Sequence, residues 1–166
     1  MLRCLVLVPL LACFAPAADD AKPAPWSGLL FKDAVAALAG KVEKKLGPGP
    51  FACGVIADAA AYDKFLAALA KAPRKAEPHW ADWKKTIDWK KEAVAYVVLT
   101  HQTNRLTYQS CEPCKGGATL AVKWSGIEPF YADSYPAVFT RVPRDGIQTM
   151  KFRVDDMELA EVPLPK

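Results

Sequence analysis

The chain has 166 residues, 52% hydrophobic and 24% charged. That is room for one domain with a real core, and it excludes a disordered chain. The formal net charge of +4 is too slight for the dense basic face that nucleic acid requires, so no nucleic-acid partner is expected.

Met1 to Leu11 carries one charge, Arg3, in an otherwise apolar run, and Ala15-Pro16-Ala17-Ala18 and Asp19-Asp20 follow. A basic start, a short apolar core and small exit residues make a secretory signal peptide over residues 1–18. The run is too short to span a bilayer as a stable helix. Leu10-Leu11-Ala12-Cys13 also has the form of a lipobox, which makes Cys13 an alternative lipid anchor. Either route places the mature protein outside the cytoplasm, secreted or periplasmic, with no transmembrane span.

Residues 19–27 are polar and proline-spaced and read as a flexible tether to a single domain over 28–166. From Leu29 to Leu46, Phe31, Val35, Leu38 and Val42 recur at helical spacing. The "GPGP" at 47–50 ends that helix. "FACGVI" (51–56) suits a buried strand. Asp58 then caps a second helix from Ala59 to Lys71, stopped by Pro73.

The connector 72–92 holds Trp80, Trp83 and Trp89 among lysines and acids. Rings of this size most often close the open side of a small core. The competing reading is an aromatic binding face for a protein partner or a glycan.

From Ala93 the apolar period changes to two. Strands are expected at 93–100, 105–110, 118–124, 135–142, 147–154 and 157–162. His101–Asn104 is expected to join the first two as a hairpin, and Arg144-Asp145-Gly146 the fourth and fifth. Helices followed by hairpin-linked strands argue an α+β fold: two N-terminal helices packed on one antiparallel sheet of five or six strands.

Without the leader, the cysteines are Cys53, Cys111 and Cys114. The odd number allows one intrachain bridge and leaves one thiol over. Cys111-Glu112-Pro113-Cys114 admits three readings. A redox pair needs its first cysteine at a helix N-terminus, where the dipole stabilises the thiolate. Here Gly116-Gly117 and an alternating strand follow instead. Structural zinc needs about four ligands, and Cys53, His79 and His101 are scattered rather than paired at knuckle spacing. The third reading is a local disulfide clip across a tight loop, with a longer bridge from Cys53 to either cysteine as its variant. No G-x-S-x-G or H-E-x-x-H is present. No catalytic residue, metal site or cofactor is assigned.

"TIDWKKEAVAYVVLT" (86–100) leads from a tryptophan-bearing connector into an apolar strand, and "SYPAVFTRVPR" (134–144) brings a proline into a strand ending in V-P-R. With the glycine-bearing loop "CEPCKGG" between them, this order resembles the C-terminal domain family of the protease-complex-stabilising protein PrcB, over about residues 55–145. The resemblance implies a small secreted or lipid-anchored bacterial domain, a helix before an antiparallel sheet, and a non-catalytic interaction role. The C-x-P-C departs from the family's loop, which lacks cysteines. The expected function is therefore an exported binding or partner-stabilising domain at the bacterial cell envelope, with a protein partner. A thiol–disulfide protein using Cys111 and Cys114 and a structural zinc module are the alternatives.

Overall fold

The structure is a computed structural model that describes residues 24–38, 42–46, 49–71, 78–100, 104–127 and 134–165. The leader with Cys13, most of the tether, and His101 lie outside the described residues.

In chain order the elements are β1 (Trp26–Phe31), α1 (Lys32–Ala36), β2 (Val42–Leu46), β3 (Gly49–Ile56), α2 (Ala59–Leu69), α3 (Pro78–Thr86), β4 (Glu92–Leu99), β5 (Asn104–Cys114), β6 (Gly117–Ile127), β7 (Ser134–Pro143), β8 (Thr149–Val154) and β9 (Met157–Pro163). The nine described strands form two sheets. One has the order β1-β7-β4-β3-β2 and is antiparallel throughout; the other has the order β5-β6-β8-β9. In the second sheet β6 and β8 run parallel, because the chain crosses to the first sheet through β7 before it returns.

Strand alternation sorts the core into two clusters. Ala52, Ile56, Val94, Tyr96, Val98, Ala137 and Phe139 face the helices, with Tyr62, Phe65, Trp80 and Trp83. Phe51, Cys53, Ala93, Ala95, Val97, Leu99 and Val138 face the second sheet, where Leu106, Leu120, Val122, Met150, Phe152 and Val154 meet them. The molecule is thus three layers: helices, five-stranded sheet, four-stranded sheet. β4 is buried along almost its whole length because both its faces are covered.

The expected α+β fold, two N-terminal helices on one hairpin-linked sheet of five or six strands, does not form. The helix expected over 29–46 is replaced by β1, the single-turn α1 and β2. Helical spacing of Phe31, Val35, Leu38 and Val42 was a weak local preference. Antiparallel pairing of β1 with β7, from Trp26↔Phe139 to Phe31↔Ser134, overrides it by completing a ladder and burying Trp26 and Leu30. β1 also takes in Trp26 and Ser27, so the chain is already in the sheet where a tether was expected.

Two expected hairpins are sheet crossings instead. β4 and β5 lie in different sheets, as do β7 and β8. The turn after β7 still uses Gly146 with φ +71, a conformation that favours glycine. α2 begins as expected, with the Ala61 N–H donating to Asp58 Oδ1 at 2.8 Å, an N-cap that satisfies one of the helix's orphan donors.

Candidate functional site

The C-x-P-C motif does not lie in a loop. β5 and β6 remain paired up to Cys114↔Gly117, which leaves Lys115-Gly116 as a two-residue connection, with Gly116 at φ +74. Cys111 and Cys114 are therefore three residues apart on an extended strand. Such residues lie about 10 Å apart and point to opposite faces. Cys111 packs toward the inter-sheet core and Cys114 is exposed on the outer side. A disulfide needs Cα atoms within about 7 Å and converging Cβ vectors, so this backbone does not permit the clip.

Cys53 is 1% exposed and sits on β3 in the same inter-sheet layer as Cys111. β3 packs against β8 and β9, whereas β5 packs against β1 and β7. The two cysteines thus occupy opposite sides of the sandwich, and no disulfide joins any of the three. Nor does the motif meet a helix N-terminus, since strands flank it on both sides. Among the described residues no three His, Cys, Asp or Glu side chains gather as a metal site. Beside the motif, burial and then the neighbouring Cys111 raise the Tyr108 phenol above its ordinary pKa, while a hydrogen bond from the Cys111 backbone acts in the opposite direction.

The two glycines after Cys114 have separate tasks. Gly116 supplies the positive φ. A Cβ on Gly117 would lie 2.4 Å from the Thr149 carbonyl oxygen, so the parallel approach of β6 to β8 requires its absence.

The three tryptophans of the connector turn inward. Trp80 is 2% exposed and Trp83 4%, and Trp89 packs half-buried against the same cluster. Trp80 makes edge contacts with Phe65, Trp83 and Phe139, at centroid distances of 5.3, 5.7 and 5.0 Å. The Tyr62 hydroxyl donates to the Trp80 carbonyl at 3.1 Å. Trp80 and Trp83 form the underside of α3 and offer no face to a partner.

The two motifs at 86–100 and 134–144 meet in space. Arg141 Nη1 donates to Thr86 Oγ1 and Nη2 to the Thr86 carbonyl, both at 3.0 Å, and Nη2 also pairs with Glu92 Oε2. Arg144 Nη1 donates to the carbonyls of Ala57 at 2.9 Å and Trp89 at 2.8 Å, and its Nη2 to that of Pro165. Asp88 shapes the turn between α3 and β4: its carbonyl accepts from the N–H groups of Lys91 and Glu92, both at 2.8 Å. I-D-W-K-K-E and V-P-R are thus the two halves of a clasp that joins α3, β3, β4, β7 and the C-terminal segment. The Arg141 Nη1 and Nη2 groups, the Arg144 guanidinium and the Asp88 carbonyl are occupied in holding the fold, while the buried Arg141 Nε has no hydrogen-bond partner among the described residues.

One feature outside these motifs is exposed to solvent, and alternation alone did not mark it. Leu29 on β1 is 38% exposed, the one large hydrophobic side chain so exposed among the described residues. It borders a cleft of about 160 Å³ lined by Ser27, Gly28, Leu29, Arg105, Leu106 and Pro136, where the edge of one sheet meets the edge of the other. Its sequence signal was the "GLL" that a helical reading absorbed. A larger cleft of about 530 Å³ lies between the β7–β8 turn and the C-terminal segment, with Arg144 on its wall; that guanidinium is committed to the clasp. No family model, curated protein or solved structure matches the chain.

Proposed function

We propose that the chain is an exported, non-catalytic binding domain that stabilises a protein partner at the bacterial cell envelope. The observation that carries this reading is Leu29, an aliphatic side chain held in the open beside the cleft between the two sheet edges. Apolar side chains exposed singly are ordinary on protein surfaces; what distinguishes Leu29 is its place beside a cleft that Leu106 and Pro136 also line, a concave seam of the kind that protein contacts use. The secretory leader supports the location, and the PrcB likeness supports the role. The thiol–disulfide alternative has the opposed directions of Cys111 and Cys114 against it, and the zinc alternative shares that obstacle.

The test is a photo-crosslinking amino acid at position 29, with one at Lys151 on the outer face of the second sheet as control. An envelope protein captured at 29 and not at 151, whose half-life falls when this chain is deleted, is the expected result. If deletion leaves every envelope protein's turnover unchanged, the partner-stabilising role is wrong.

A further inference from the structure

We draw no further inference here: the strongest candidate, the cleft of about 530 Å³ between the β7–β8 turn and the C-terminal segment, has Arg144 as the one charged residue of its lining, that guanidinium is held by the carbonyls of Ala57, Trp89 and Pro165, and nothing in the structure shows what covers the apolar walls formed by Ile147, Pro163, Leu164 and Pro165.

Discussion

Arg141 and Glu92 meet on the helix-covered face of the five-stranded sheet, one rung apart on β7 and β4, where Arg141 stands opposite Val94. The arginine side chain is 10% exposed and the glutamate 27%, so the pair is largely shielded from water. Thr86 at the end of α3 supplies two more acceptors to the same guanidinium. Removing one member of a shielded pair strands the other's charge. Glu92→Gln is expected to cost about 2–4 kcal/mol in chemical denaturation. Arg141→Met combined with Glu92→Leu is expected to cost less than the sum of the single changes, with a coupling of at least about 1 kcal/mol in a double-mutant cycle. Strict additivity would show that the clasp contributes nothing as a unit.

Gly116 and Gly117 are neighbours with different reasons for being glycine, and their alanine variants separate the two. Gly116 needs its positive φ but has open space around it, so Gly116→Ala is expected to cost about 1 kcal/mol. Gly117→Ala drives a methyl group into the β8 backbone and is expected to cost more, roughly 2–4 kcal/mol. Equal midpoints for the two variants in urea would contradict the close approach of β6 to β8.

The cysteines give a mass-spectrometric prediction. Protein purified without reductant shows the same intact mass before and after reduction, because no disulfide joins the three cysteines. Exposed Cys114 is alkylated in the native state at least about a hundredfold faster than Cys53, which is buried and reacts through unfolding. Mild oxidation yields a disulfide-linked dimer that Cys114→Ser abolishes. An intramolecular bridge between Cys111 and Cys114 in native protein would require a different backbone at the hairpin end.

Burial raises the phenol pKa of both Tyr62 and Tyr96 well above the ordinary value, Arg141 partly offsetting the shift at Tyr62 and Cys53 adding to it at Tyr96. A folded-state pKa above the unfolded one means that the unfolded chain gives up its proton first as pH rises. The stabilisation is whole below about pH 10, the unfolded tyrosine value, and is lost as pH climbs above it. Phenolate absorbance is expected to show these two tyrosines ionising only with alkaline unfolding. Titration of both in folded protein near pH 10 would contradict their burial.

Much of the local pattern was legible without coordinates. The alternation in 93–100 and 118–124 correctly marked strands, and the Asp58 cap correctly opened α2. The apolar run of β4, "AVAYVVL", also carried a signal of double coverage, since nearly every residue in it is buried. The segment at 29–46 was not legible. Its apolar spacing is compatible with a helix face, and the residues that make β1 a strand are on β7, more than a hundred positions along the chain.

The site shows the same division. Trp80, Trp83 and Trp89 were recognisable as aromatic mass, but whether they covered a core or faced a partner depended on Phe65 and Phe139, which the connector does not contain. Spacing made Cys111 and Cys114 a pair by name only. Pairing of β5 with β6 extends the backbone between them and turns their side chains to opposite faces.

The sequence by itself determined the alternation of each strand, and with it which residues share a face, because side-chain direction in an extended chain follows from backbone geometry. What covers each face was decided only in the tertiary structure. A period of two records that two sides exist, and whether one side meets a helix, a second sheet or open water depends on which distant segments bury the most apolar surface together. Leu29 stays in the open for that reason: its neighbours face the helices, and the second sheet ends at the cleft beside it.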